Sequence, residues 1–360
     1  MRNICKSAIY IIVALFIAAC AKISEDGAND ATRRYFNAWM SINHPELKAT
    51  WKGVEQADSN GIFLFPEEEV IGTGATVTNE GYAIVEYTVR NLEGKITAYT
   101  SEKIARQLGE YDPTTYYGSR VMITMDETIL AGLQDIIVGM KVGGKRKAII
   151  PSWFMTYSTY DKPADYLKKT TDYSHTIYEI EVKDFTDSID VWQIDSIKRY
   201  ISNKYADLGG LTAFSNDTTG YYARHDVSLP DNVKEFASDT AIYVNYTGKL
   251  LNGHVFDTNI EKVAKDEDIF NNSKSYGPIK ISWGETESDL TMGDDGSSVI
   301  AGFAKTLWKL RYNENNPSWK DKCTGIFYSP LGYGYSGSGD GIPGYSPLIF
   351  EIEVVDEPEK

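Results

Sequence analysis

The chain is poor in the residues that build metal centres and covalent staples. Its 360 residues include three cysteines and four histidines. Cys5, Cys20 and Cys323 form no metal-ligand spacing, and His44, His175, His225 and His254 are scattered, which argues against zinc or another metal cofactor. Cys323 lies in no nucleophile motif with any of those histidines, so a buried, inert thiol is expected. Positive charge is also scarce: 36 Lys and Arg against 51 Asp and Glu leave a net charge of −15. That balance excludes nucleic acid, and anionic lipid held by charge, as partners. Lys145-Arg146-Lys147 reads as a solvated hairpin tip, and Asp294-Asp295-Gly296 as an acidic turn rather than a calcium loop. With 42% hydrophobic and 24% charged residues, the chain can bury real cores, and its length suits two domains.

No apolar run is long enough to span a bilayer. The run Ala8–Ala19, preceded by Arg2 and Lys6, has the length and flanks of a signal peptide, assigned to residues 1–19. It ends Leu15-Phe16-Ile17-Ala18-Ala19-Cys20, which resembles the bacterial lipobox. The resemblance implies cleavage before Cys20, its lipidation, and a membrane anchor through the acyl chains. Ala21 after the cysteine points, by analogy, to an outer-membrane lipoprotein of the cell envelope, facing the periplasm or the cell surface. Residues 20–60 then comprise the lipidated cysteine, a polar tether and a helix in which Tyr35, Trp39 and Ile42 share a face before Pro45.

Two stretches of the chain repeat each other. Ile177–Val182 reads IYEIEV and Ile349–Val354 reads IFEIEV. Val85-Glu86-Tyr87-Thr88 with Gly94 parallels Val244-Asn245-Tyr246-Thr247 with Gly253, and Ala131-Gly132 parallels Ala301-Gly302. The offset grows from 159 residues at Tyr87/Tyr246 to 170 at Ala131/Ala301, so 11 extra residues are expected in the second copy, in the acidic, Asn-rich region after Thr258. Leu310–Pro330 lacks the Gly-Gly-Lys-Arg hairpin of the first copy. Between the copies, Asp190–Tyr205 places Ile194, Ile197, Ile201 and Tyr205 on one helical face.

Within the second copy, Ile242–Leu250 alternates as a half-buried strand, and Leu251-Asn252-Gly253-His254 signals a turn. Val255-Phe256 resumes an apolar strand, followed at once by the charged Asp257. Leu348, Phe350, Ile352 and Val354 form an apolar face with Glu351 and Glu353 opposite. Read singly, each of these is a core residue. As an ordered set, VNYTGKLLNGHVFD at Val244–Asp257, VIAGF at Val299–Phe303, Gly341-Ile342-Pro343 and LIFEIEV at Leu348–Val354 resemble the FKBP-type peptidyl-prolyl cis/trans isomerases. VGMKVGGKRKAIIP at Val138–Pro151 resembles the same family.

The resemblance implies an α+β fold with two FKBP-like domains, each a twisted antiparallel sheet wrapped on a short helix and preceded by an amphipathic helix. The boundaries expected are 61–185 for a degenerate first domain, 186–218 for a helical linker and 219–356 for the isomerase domain. It also implies a proline pocket lined by Tyr246, Phe256, Asp257, Val299, Ile300, Phe303, Tyr333, Ile342 and Phe350, with Ile279 as a further wall. Phe303 stands where many members have tryptophan. Tyr333-Gly334 matches the Tyr-Gly that reaches the substrate carbonyl, with Tyr335 as the alternative. No cofactor or metal is implied. The partners are proline-containing polypeptides, and the oligomeric state is unspecified. In the first copy, Thr97 and Ala98 occupy the positions of Phe256 and Asp257, and Leu133 that of Phe303, so docking or a structural role is expected there. The alternative for the whole chain is a non-catalytic chaperone or scaffold. A glycan-binding surface lipoprotein is suggested only by its 25 tyrosines.

Overall fold

The computed structural model describes residues 29–359, so the signal segment and Cys20 lie outside the described residues. Two compact units result. One comprises the described residues to Asn79, Thr88–Ala98 and Thr124–Glu181; the other comprises Glu80–Tyr87, Tyr99–Ile123 and Val182–Lys360. The fold is α+β, and its sheets are antiparallel.

After helix α1 (Asp30–Asn43) come β1 (Ala49–Trp51), β2 (Val54–Glu55), β3 (Ile62–Leu64), β4 (Tyr82–Arg90), β5 (Ile96–Tyr99), helix α2 (Glu102–Leu108), β6 (Arg120–Ile123), helix α3 (Ala131–Ile137), β7 (Lys145–Ile150) and β8 (Thr176–Thr186). The first sheet runs β2-β1-β3-β7-β8-β4-β5, with β6 on β4. Helix α4 (Ile189–Lys204) leads into β9 (Ser215–Thr218), β10 (Tyr221–His225), β11 (Val233–Lys234), β12 (Ala241–Leu250), β13 (Val255–Thr258), helix α5 (Glu261–Asp266), β14 (Ile279–Ser282), β15 (Thr291–Met292), β16 (Ser297–Ser298), helix α6 (Ala301–Lys309), β17 (Tyr312–Asn313), β18 (Lys322–Phe327) and β19 (Leu348–Val355). The second sheet runs β16-β15-β14-β12-β19-β18-β10-β9, with β13 on β12. The series β4-β5-α2-β6-α3-β7-β8 thus recurs as β12-β13-α5-β14-α6-β18-β19.

Glycine at the second position of α3 and of α6 explains the shared Ala-Gly. A Cβ on Gly132 would meet Ile150 Cγ2 at 2.4 Å, and one on Gly302 would meet the Phe327 ring at 2.3 Å. Each helix therefore lies closer to its neighbours than a side chain at that position permits.

The repeat also locates the extra residues differently from the sequence expectation. Tyr82 pairs with Ile123 and Ala241 with Ser282, so the offset is still 159 at β6 and β14. The insertion therefore falls between Ser282 and Ala301, where β15 and β16 form a hairpin on the sheet edge. The loop after Thr258 is shared by both copies: Asp112 N–H donates to the Tyr117 hydroxyl as Asn271 N–H does to Tyr276.

The expected face of α1 is displaced by about one residue, whereas that of α4 holds at Ile197 and Ile201 and differs at its start. In α1, Phe36 and Met40 are buried, whereas Tyr35 and Ile42 are exposed. In α4 the buried line is Ile189, Gln193, Ile197 and Ile201, with Gln193 in place of Ile194. Gln193 is buried because its Oε1 accepts from Ser329 N–H at 2.8 Å, a use for an amide that hydropathy does not register. The basic cluster lies on β7 rather than at a hairpin tip. Lys145 pairs with Glu181, Arg146 with Glu69 and Lys147 with Glu68. Asp295 closes the β15–β16 turn by accepting from the Ser297 hydroxyl at 2.8 Å.

Candidate functional site

Strand pairing assembles the site. β12 and β19 pair from Tyr243↔Val355 to Leu250↔Leu348, which sets Tyr246 opposite Ile352 and Gly248 opposite Phe350. Directly opposed residues share a face, so Val244, Tyr246, Leu348, Phe350, Ile352 and Val354 all point into one core. Glu351 and Glu353 point the other way. At Gly248 a Cβ would lie 2.6 Å from the Phe256 ring and 3.0 Å from that of Phe350. The missing side chain lets the Phe256 ring cross over β12 and meet Phe350 edge-on at 5.6 Å.

Helix α6 supplies the floor. Phe303 packs edge-on to Tyr246 at 5.4 Å and to Phe350 at 4.9 Å, geometries that aromatic quadrupoles favour. Tyr246, Phe303, Ile342 and Phe350 are buried in the same core. Phe256, Val299 and Ile300 are half-buried against it and form its rim, as is Ile279 on the flank. In the first copy the corresponding Thr97 and Ala98 are exposed, and Leu133 is a buried aliphatic residue.

Asp257 is the charged member. It lies opposite Gly248 on β13, and its Oδ2 accepts from the Tyr246 hydroxyl at 2.7 Å. Its Oδ1 is bonded by the Lys274 ammonium. Burial, and then the neighbouring carboxylate, push the Tyr246 hydroxyl well above the usual tyrosine range, so it remains a donor at neutral pH. Tyr333 is exposed at its edge, and its pKa is raised by partial desolvation and by Asp257. The Tyr335 hydroxyl instead donates to Asp190 at 3.0 Å. Of the two tyrosines, Tyr333 is therefore the one in the field of the Asp257 carboxylate. The Ile342 N–H faces Ser338 O at 3.2 Å and is engaged there. His254 is held below the usual histidine range by burial, and its Nε2 is buried without a protein partner.

Some contributors carry no signal in the sequence. Lys274 lies 17 residues beyond its carboxylate, with no spacing rule to connect them. Asn259 ties three backbone groups together: its Oδ1 accepts from Tyr246 N–H at 2.7 Å, and its Nδ2 donates to Val244 O at 2.9 Å and to Gly277 O at 3.0 Å. The equivalent Thr100 does part of this in the first copy, its Oγ1 accepting from Tyr87 N–H at 3.0 Å. Aligning the copies is the one way the sequence alone could have singled out Asn259. Among the described residues, no group of His, Cys, Asp and Glu could hold a metal ion.

Comparison with known proteins finds one family similar to the carboxyl-terminal part of the chain. The family described as FKBP-type peptidyl-prolyl cis-trans isomerase matches residues 233–355. FK506-binding protein 2 of Dictyostelium discoideum is 27% identical over 118 residues, 33% of this chain and 65% of the relative. A probable FKBP-type peptidyl-prolyl cis-trans isomerase of Haemophilus influenzae is 29% identical over 126 residues, 35% of this chain and 37% of the relative. The chain thus matches less than two thirds of the length of either relative. The three FKBP domains of wheat FKBP73 align at 13% identity with a TM-score of 0.27, covering 83% of this chain and 95% of that one.

Proposed function

We propose that this chain, whose residues 233–355 belong to the FKBP-type peptidyl-prolyl cis/trans isomerase family, isomerises Xaa-Pro bonds in its carboxyl-terminal pocket. The observation that carries the proposal is the convergence of Tyr246, Phe256, Phe303, Ile342 and Phe350 on one apolar core, edged by a carboxylate already engaged by Tyr246 and Lys274.

Rotation about a prolyl amide must give up resonance, a barrier of roughly 18–20 kcal/mol. The planar amide has the more polar carbonyl, and the twisted form the less polar one. Moving the bond from water onto the Phe256, Val299, Ile300 and Phe350 surface therefore raises the planar state more than the perpendicular state. The Tyr333 hydroxyl, held protonated, is the donor available to the twisted carbonyl. Asp257 acts by orientation, since no proton leaves the substrate and both its oxygens already have partners.

The first copy keeps the fold without the aromatic wall and serves as a docking or structural module. Cys20 carries the acyl anchor that holds the chain to the cell envelope, where the clients are proline-containing polypeptides. The lipobox resemblance supports that placement. Cys20→Ser should then lose palmitate labelling and leave the membrane fraction, and retention of both would refute the anchor.

The catalytic reading is tested with the whole chain on an Xaa-Pro peptide. Acceleration of cis-to-trans conversion is expected, reduced at least about tenfold by Phe256→Ala. A folded chain that leaves the uncatalysed rate unchanged would refute the enzyme and favour the scaffold.

A further inference from the structure

Tyr333 and Ile342 are carried by a single loop, residues 332–347, whose own backbone ties are few: Ser338 and Ile342 bond each other at 2.8 and 3.2 Å, Gly337 N–H donates to Tyr333 O at 3.2 Å and Tyr345 N–H to Gly334 O at 3.3 Å. The loop contains glycine at 332, 334, 337, 339, 341 and 344, and three of these have positive φ: Gly334 at 65°, Gly337 at 73° and Gly339 at 53°. Each glycine widens the range of backbone conformations open to the loop. Tyr345 adopts φ of 63°, a strained conformation that non-glycine residues rarely take and that persists only where the surroundings enforce it. Close packing does not supply the constraint along its whole length. A cavity of about 190 Å³ lies against residues 343–347, bounded also by Trp192 and Leu250.

Further constraint comes from outside residues 233–355, at three points within the same compact unit. Tyr116 N–H donates to Asp340 O at 2.9 Å. Beside it, Thr114 O lies 2.8 Å from where a Cβ on Gly341 would stand, the residue before Ile342. Tyr116 also packs against the pocket core, with its ring edge-on to His254 at 6.2 Å. Tyr82 meets the ring of the strained Tyr345 at 5.7 Å, and Tyr345 stacks on Tyr335 at 5.0 Å. Asp190 accepts from the Tyr335 hydroxyl through both oxygens, at 3.0 and 3.1 Å.

The geometry points to Tyr82, Tyr116 and Asp190 as positioning residues that brace the loop bearing Tyr333 and Ile342, so that turnover in the carboxyl-terminal pocket depends on residues outside the family-matched segment. This rests on the isomerase reading of that pocket. Tyr116 is itself fixed: Arg120 Nη2 donates to its carbonyl at 2.9 Å and the guanidinium lies 4.9 Å from the ring centroid. The segment can therefore act as an anchor rather than follow the loop.

The test compares the full chain with its Tyr116→Ala, Tyr82→Ala and Asp190→Ala variants, and with Tyr116→Phe, which keeps the ring. Two readouts are taken: kcat and KM on an Xaa-Pro peptide, and amide hydrogen exchange across residues 333–347. Expected are faster exchange in that loop alone, a fall in kcat/KM of about three- to tenfold carried by kcat, and near-native values for Tyr116→Phe. Unchanged exchange in the loop overturns the brace. So does native turnover in spite of faster exchange. If the unaltered chain has no isomerase activity, the pocket reading fails, and exchange alone decides whether the brace exists.

Discussion

The Tyr246 hydroxyl donates to Asp257 at 2.7 Å while Lys274 holds the other carboxylate oxygen. A buried phenol and a charge from a loop therefore hold one carboxylate at the edge of the aromatic core. Asp257 and Lys274 are both more than a third exposed, so solvent screens their attraction and the pair adds little to stability. Lys274→Met should shift the melting temperature only slightly. Tyr246→Phe leaves an acceptor short of a buried donor, and should cost about 1.5–3 kcal/mol, the range for a hydrogen bond to a charged group. Thermal melts of the two variants check the order. Equal losses would mean that the ion pair holds Asp257 as firmly as the phenol does.

Phe256 and Phe350 separate binding from folding. Phe350 is buried between Phe303, Phe327 and Phe256, and its truncation to alanine should cost about 3–5 kcal/mol. Phe256 is only half-buried, so Phe256→Ala should retain most of the stability and lose turnover. Denaturant midpoints set beside kcat/KM test this. A Phe256→Ala variant as unstable as Phe350→Ala would make Phe256 a structural residue.

These two rings show what the sequence could tell. Alternation along β12 and β19 has a period of two, and pairing turns that pattern directly into a shared face, so Tyr246 and Phe350 were legible. The α1 face was misjudged because two adjacent stripes both carry aromatic and aliphatic residues, Tyr35 and Ile42 on one and Phe36 and Met40 on the other, and only packing selects between them. Gln193 was missed because its burial is set by one hydrogen bond to Ser329. Lys274 and Tyr116 act across loops, where contact depends on the folded path and not on spacing. Cys20 lies outside the described residues and stands on the motif alone.

Acid should act on the first unit through two opposed groups. His175 is buried and accepts from Ser152 N–H at 2.9 Å through Nδ1, and burial lowers its pKa to about 4. With the folded pKa below the unfolded value of about 6.5, its neutral form is compatible with folding above that pH. Stability is lost as pH falls through the window to 4, by about 3 kcal/mol at its end. Asp135 has its pKa raised by burial to about 6, so it destabilises the fold at neutral pH and ceases to do so as pH falls towards its unfolded value. The two slopes oppose each other between pH 6 and 4. His175→Gln should make stability rise on acidification over that range, and Asp135→Asn should raise it at pH 7. Urea midpoints across pH measure both, and a flat profile for His175→Gln would show that Asp135 does not titrate there.

Cys323 sits within β18 opposite Ile352, fully buried, and desolvation pushes its thiol far above the usual range. In a Cys5→Ser/Cys20→Ser chain, thiol reagents should label it only as fast as the second sheet opens, and the labelling rate should become independent of reagent concentration at high reagent. Rapid, concentration-dependent labelling of native protein would place the thiol at the surface and displace β18 from the sheet interior.

Gly302 couples the helix to the pocket. A methyl group there would meet the Phe327 ring at 2.3 Å, and Phe327 stacks on Phe350 with ring centroids 5.9 Å apart and planes 4° from parallel. Phe350 is in turn packed edge-on by Phe303 at 4.9 Å, and Phe327 is fully buried. Gly302→Ala should therefore cost about 1–3 kcal/mol or more by overpacking. The displacement should also pass to the pocket floor and lower kcat/KM. Gly132→Ala faces a comparable obstacle in Ile150 Cγ2 at 2.4 Å, but that methyl ends a side chain in the copy whose aromatic wall is absent. It should destabilise the first unit and leave turnover unchanged. Paired melts and peptide assays separate the two, and equal loss of activity in both variants would place catalytic residues in the first copy as well.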